Sequence, residues 1–175
     1  VKVGHYLGEE DKPAKYIPMD LWLEFFGYFL SEGTVSFDKR SGTYRVHIAQ
    51  RSDSRWRPVM EECIKKLRNY GFNPHFGKNI ISIKDKQLWF YLRQFGRSSE
   101  RYIPPELKEL SPRQLRILLR AIAIGDGDFQ GNSFRIYTTS KRLADDIQEI
   151  ALKAGYACNV RMLRNPTKGG HRYYQ

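Results

Sequence analysis

The sequence predicts an α+β protein built as two pseudo-twofold-related αββαββα halves, with a central pair of helices and two antiparallel sheets. Three observations predict it. The stretch LEFFGYFLSEG at residues 23–33 returns as LLRAIAIGDG at residues 118–127. The order helix, strand, strand, helix, strand, strand, helix follows in full after the first copy and nearly in full after the second. Both copies end in an acid followed by glycine, with Glu32 and Asp126 in register.

Each copy has the pattern of a helix that stops at its acid. Gly33 and Gly127 are expected as left-handed C-caps, which places Glu32 and Asp126 at helix C-termini. There the partial negative charge of the helix dipole repels a carboxylate. One such acid is an ordinary helix-end residue; two at matched positions point to a positive group between them. Gly27 and Ser31 are four apart in the first copy, as are Ala121 and Gly125 in the second. Small residues at that spacing let helix backbones approach closely, so the two helices are expected to pack on these faces and bring the acids together.

The chain has 175 residues and a formal net charge of +11 from 30 Lys and Arg against 19 Asp and Glu. That length suits one large domain or two small ones sharing a core, without need of disulfides. Cys63 and Cys158 are the two cysteines and form no CxxC pair, which argues against a disulfide framework or zinc knuckle and suits a reducing compartment. No signal-like segment or bilayer-spanning apolar run is visible, so a cytoplasmic, organellar or phage-encoded protein is expected, not a secreted or membrane one. The excess of positive charge makes nucleic acid the default partner. A merely soluble basic protein is the plainer alternative.

Residues 1–18 have no clear period and read as a lead-in segment. A start at Val1 in place of Met is what a piece of a longer chain would show. Lys15-Tyr16-Ile17-Pro18 precedes the first key helix, with Asp20 as its expected N-cap. Residues 34–38 alternate as a half-buried strand, 39–43 form a turn, and Tyr44, Val46 and Ile48 alternate again. With the apolar set on the core, Thr34, Ser36, Asp38, Arg45 and His47 face the other way. From Ser54 the period is helical through Trp56, Met60, Cys63, Ile64 and Leu67, and Gly71 ends it. A second hairpin follows over 72–84 across residues 77–79, then a third helix over 85–95, closed by Gly96. Trp56 and Trp89 fall on apolar helix faces and are expected in the core.

Residues 97–111 read as the joint between a first half, 19–96, and a second, 112–175. Arg101-Tyr102-Ile103-Pro104 echoes residues 15–18, and Ser111-Pro112 is a strong cap and first-turn pair for the second key helix. Asp128 is expected in a turn. A strand over 134–138, a helix from a Ser140 cap to about Ala154 stopped by Gly155, a strand over 159–164, a turn over 165–170 and the start of another strand from His171 complete the chain. The third helix of this half has no counterpart in the sequence.

The segments FFGYFLSEG and LRAIAIGDG resemble the paired motifs of the LAGLIDADG (dodecapeptide) homing endonucleases in their monomeric, two-motif form. The tract from Tyr137 through Asp146 is similar to endonuclease regions found inside inteins. The resemblance covers residues 16–175. It implies that the motif helices form the interface between halves and that Glu32 and Asp126 bind divalent metal, Mg²⁺ with Mn²⁺ able to replace it. It also implies a Gln at the end of the second strand, here Gln50, to orient water, and a basic residue before the last helix, here Lys84, to stabilise developing negative charge. Strict alternation puts Gln50 on the core side, so it reaches such a site only across a bulge near Ala49. The second-half Gln position falls at Thr139 or Ser140, and Lys168 or Arg172 is a stand-in for the second lysine.

The activity implied is site-specific double-strand DNA cleavage by a monomer, across the minor groove with 3′ overhangs, in a protein associated with an intein or intron. An intein splicing domain or host protein is the expected partner in cis, besides the DNA. The chain itself has no splicing nucleophile at residue 1 and no terminal His-Asn pair. On the groove-facing sides lie Ser36, Asp38, Arg45, His47 and Arg135, candidates for DNA contact; the arginines can address base edges, and the others mostly phosphate or water. Lys39, Arg40 and Lys78 at hairpin tips are candidates for phosphate contact. A non-catalytic DNA-binding regulator and a group I intron maturase are the alternatives on the same scaffold.

Overall fold

Two short strands, β1 (Lys2–Val3) and β2 (Lys15–Tyr16), pair antiparallel at the start of the computed structural model, which describes residues 1–4, 13–130, 133–164 and 172–175. They tie the lead-in segment to the body of the protein, because Val3 is fully buried in the core.

Helix α1 (Met19–Glu32) buries eight residues, among them Trp22, Phe25, Phe26 and Phe29. A helix apolar on most sides belongs inside, and α1 is the centre of the core. It opens after Pro18, whose φ is already near the helical value, so the expected cap Asp20 falls within the first turn instead. There Asp20 receives Arg113 Nη2 at 3.0 Å.

Gly33 departs from expectation more instructively. Its φ of −82° and ψ of 146° are extended, and Gly127 is extended too. Neither is a left-handed cap; each carries the chain from helix directly into strand with no loop. Glycine is required for space. A Cβ on Gly33 would run into the Phe29 ring and lie 2.7 Å from the Phe29 Cα, and one on Gly127 would lie 2.7 Å from the Arg135 carbonyl oxygen. By contrast Gly71 and Gly155 do end their helices with φ of 82° and 87°.

The first half continues through β3 (Gly33–Asp38), β4 (Thr43–Ala49), α2 (Arg57–Lys66), β5 (Pro74–Phe76), β6 (Ile80–Lys84) and α3 (Lys86–Arg93). The sheet is antiparallel with order β3-β4-β6-β5. Val46, Ile48, Ile81 and Ile83 point into the core. Asp85 caps α3 by accepting from the Leu88 amide at 2.7 Å. Trp56 and Trp89 are half-buried and packed against the core.

The second half follows α4 (Pro105–Lys108), a short helix in the joint, and contains α5 (Pro112–Asp126), β7 (Gly127–Gln130), β8 (Ser133–Ile136), α6 (Lys141–Lys153), β9 (Met162–Arg164) and β10 (Arg172–Tyr174). Ser111 caps α5 by accepting from Gln114 N, as expected. Strand β7 was not foreseen, and it takes Asp128 out of a turn and sets it opposite Arg135. Residues 159–161 are not strand. The pairs β7-β8 and β9-β10 are joined through one bridge between Thr138 and Tyr174. The expected turn over 165–170, Lys168 and the Arg172 side chain lie outside the described residues.

Candidate active site

Helices α1 and α5 pack on each other more extensively than any other pair of elements. The four small residues expected at their seam are the ones that meet. A Cβ on Gly27 would lie 3.0 Å from the Leu118 carbonyl oxygen and closer still to the Ala121 methyl. One on Gly125 would lie 2.5 Å from Ser31 Cβ and 3.4 Å from Glu32 Cγ. The Ser31 hydroxyl donates back to the Gly27 carbonyl at 3.1 Å, so a polar side chain sits in the seam without an unpaired donor.

This close crossing brings the two helix ends together with their acids. Neither last turn contains a basic residue. Among the described residues neither carboxylate accepts a hydrogen bond or pairs with a cation. Burial pushes Glu32 up to about 7, with the Asp126 charge adding to it, and burial pushes Asp126 up to about 6. Both negative charges sit at helix C-termini, half out of water, each unneutralised. A divalent cation fits such a pair. Among the described residues no cluster of three or more His, Cys, Asp or Glu side chains forms a metal site, but Mg²⁺ commonly takes one or two carboxylates and fills its octahedron with water and substrate phosphate.

Outside the acids, the sheet of the first half presents a polar face away from the core. The strand register sets Ser36, Arg45 and Lys84 in one row and Thr34, His47, Ser82 and His75 in the next. His47 Nε2 and Ser36 Oγ are 2.9 Å apart. Burial, then the neighbouring Arg45, lowers the His47 pKa below the ordinary imidazole value. Lys39, Arg40 and Lys78 are exposed at hairpin tips, and Arg135 is exposed on β8. Asp38 is put to another use: it accepts from Ser41 Oγ at 2.7 Å and from the Arg40 amide at 3.0 Å. Those bonds hold its carboxyl below the usual range and close the turn.

Residues 113–175 match the family model of the LAGLIDADG-like domain. Mesophilic variants of the homing endonuclease I-DmoI align with 15% identity and a TM-score of 0.58, covering 89% of this chain and 88% of that one. I-DmoI in complex with DNA and Ca aligns with 18% identity and a TM-score of 0.58, over 89% and 81%. The chain has the LAGLIDADG homing-endonuclease fold. At these identities the likeness is one of fold. The chain is also 29% identical, over 94% of its length, to part of an ATP-dependent Clp protease proteolytic subunit of Chlamydomonas moewusii. It is 31% identical, over 87% of its length, to part of a DNA-directed RNA polymerase subunit beta C-terminal section of Stigeoclonium helveticum. It spans less than a fifth of either relative, 17% and 18%.

Within this LAGLIDADG fold the remaining expected residues are dispersed. Gln50 follows strict alternation after β4, with no bulge near Ala49, since Ala49 pairs regularly with Ile80. Its amide donates to Met60 Sδ at 3.5 Å and accepts from the Arg51 amide at 3.2 Å; no bond joins it to either acid. Lys84 is exposed at the end of β6, across from Arg45, and no ion pair joins it to Glu32 or Asp126. At the second-half Gln position, Ser140 is fully buried and caps α6, so Thr139 is the residue at the surface there. Arg101, which opens the echo of residues 15–18 within the joint of residues 97–111, is buried. Its side chain donates to the carbonyl of Gly33, the residue after Glu32, at 2.7 Å.

Proposed function

We propose that the protein is a site-specific double-strand DNA endonuclease that hydrolyses phosphodiester bonds with divalent metal held by Glu32 and Asp126. The observation that carries this reading is the pair of half-buried, unneutralised carboxylates at the ends of α1 and α5. A structural role does not account for them, because two uncompensated negative charges at helix C-termini destabilise the seam they sit in. A divalent ion, Mg²⁺ or Mn²⁺, would supply an activated water and relief of phosphate charge when bound. Structures of I-DmoI with DNA and Ca and with DNA and Mn support double-stranded DNA and a divalent ion as the partners.

Arg45, His47, Ser36 and Arg135 address the groove in this proposal, while Lys39, Arg40 and Lys78 hold the backbone. Lys84, in the row of Arg45, acts on a phosphate of the bound strand and not on the acids. Gln50 orients water only if its amide leaves Met60, so its contribution is the smallest of the four catalytic candidates.

The two partial relatives support an inserted element. A protease subunit and an RNA polymerase subunit share no activity, yet each contains a stretch like this chain in less than a fifth of its length. A self-propagating insertion, of intein type, distributes a segment in that way. Proteolysis and RNA synthesis are not carried over to this chain.

The test is incubation with a library of duplex targets with and without Mg²⁺. A discrete subset cut on both strands, only with metal and far more slowly by Asp126→Asn, is expected. Binding without cleavage would leave a non-catalytic DNA-binding protein, and RNA-dependent intron splicing would leave a maturase.

A further inference from the structure

Four observations meet at Arg101. It is 3% exposed, and its guanidinium lies 4.2 Å from the centre of the Phe29 ring while Nη2 donates to Gly33 O. Phe29 also packs so closely on Gly33 that no Cβ fits there. The Arg101 carbonyl accepts from Ser140 Oγ at 2.7 Å, and the same hydroxyl caps α6. Two residues on, the Ile103 amide donates to Asp146 of α6 at 2.8 Å. The joint between halves is thus fastened to α6 of the second half while its arginine grips the turn of the first half that carries Glu32.

The echo of residues 15–18 in 101–104 does not reproduce this. Lys15, the counterpart, pairs with Asp85 and lies over Phe72, both in its own half. Among the described residues no buried arginine serves the Asp126-Gly127 junction; the Asp126 carbonyl there accepts from the Tyr137 amide of its own half. On that side the other half contributes Trp56, whose ring lies 5.1 Å from Phe129 of β7. The grip is also costly. Burial pulls Arg101 down to about 10, and its Nη1 has no partner among the described residues. A buried cation with an unsatisfied donor is a poor source of stability, and an apolar side chain of similar volume often serves at least as well.

We infer that Arg101 is a positioning residue for the Glu32 metal ligand, acting through the Gly33 carbonyl and the Phe29 ring. The inference rests on the metal site proposed above. A guanidinium is suited to the task because its rigid fork fixes the carbonyl in direction while its face lies on the ring. Fixing Gly33 fixes the angle at which α1 passes into β3, and with it the direction of the Glu32 side chain. Second-half α6 thereby sets the geometry of a first-half ligand.

The test measures Mn²⁺ binding directly, by the electron paramagnetic resonance signal of free Mn²⁺ at pH 8 without DNA. Wild type, Arg101→Met and Arg101→Lys are compared, and thermal stability and metal-free DNA affinity are measured for each. Arg101→Met is expected to weaken Mn²⁺ binding about tenfold, in the range of residues that orient a ligand, with thermal stability and DNA affinity retained. Arg101→Lys, which keeps the charge without the fork, is expected in between. Equal Mn²⁺ affinity in wild type and a folded Arg101→Met overturns the inference. So does a parallel loss of stability, DNA affinity and metal affinity, as does an Arg101→Met that fails to fold beside an Arg101→Lys of wild-type Mn²⁺ affinity. Absence of Mn²⁺ binding by wild type is a different result and sinks the metal site itself.

Discussion

Glu32 and Asp126 make the same demand on the solution that they make on a ligand. Glu32 titrates near 7 in the folded chain against 4.5 as a free side chain, because burial and Asp126 disfavour its charge. Its folded pKa is raised, so its contribution is fully present below the unfolded pKa and is lost as pH rises through the folded one. The metal-free protein should therefore lose stability between pH 4.5 and about 7 relative to Glu32→Gln, which mimics the protonated form. The difference in Tm is expected near zero at the lower limit. At pH 8 it should favour the variant by about 2–4 °C, corresponding to about 1 kcal/mol after allowing for partial exposure. Added Mg²⁺ should reverse it, because metal stabilises the charged form in wild type alone. A Tm difference that does not change with pH would remove the electrostatic argument for the site. Cleavage should rise over the same interval, and Asp126→Asn should reduce it by about 10²–10³-fold, the loss typical of one preorganised electrostatic group.

The elements were legible from sequence where period and stop signals agreed. Residues 57–66, 86–93 and 141–153 form helices because apolar residues recur at helical spacing before Gly71, Gly96 and Gly155, all of positive φ. The glycines after the acids were misread in conformation though not in position. A cap glycine and a close-approach glycine look alike in sequence, since the difference lies in what stands opposite. At Gly33 it is Phe29, one helical turn back, and at Gly127 it is the Ala123 and Arg135 carbonyl oxygens. Strand β7 escaped because four residues are too few to show alternation, and β1 and β2 because two residues show none. Of the site, the acids and the seam were legible because the chain repeats them. Arg101 was not, since its partner is a backbone carbonyl 68 positions away. Exchange of glycine for alanine separates the two kinds. Gly27→Ala should destabilise by about 1–3 kcal/mol by overpacking the seam, measured by denaturant unfolding. Gly33→Ala should destabilise similarly although its backbone is one that any residue adopts, whereas Gly42→Ala, at φ of 64° with open space around it, should pay only for conformation. A neutral Gly33→Ala would refute the close-approach account.

Across the whole molecule, the net charge of +11 predicts a steep salt dependence of DNA binding. Lys39, Arg40 and Lys78 stand at hairpin tips, free of the base-facing rows. Replacing them with Ala should weaken binding evenly across target sequences and lower the salt slope by about 0.9 per lost contact. Arg45→Ala should instead relax preference at particular base pairs, by about 1–3 kcal/mol each. Filter-binding titrations at several salt concentrations on matched and mismatched targets distinguish the two; an Arg45→Ala effect spread evenly over all sequences would remove it from base reading. The seam between α1 and α5 also governs how such a protein can change over generations. If the protein acts as proposed, a change of target would be made at the exposed positions of its sheets. Along Gly27, Ser31, Ala121 and Gly125, by contrast, each half fills the space the other leaves. A half inherited from a different ancestor would assemble here only by bringing the matching small residues at the matching turns. Exposed positions on the sheets carry no such constraint, while the stripe that holds the two halves together must descend as a pair.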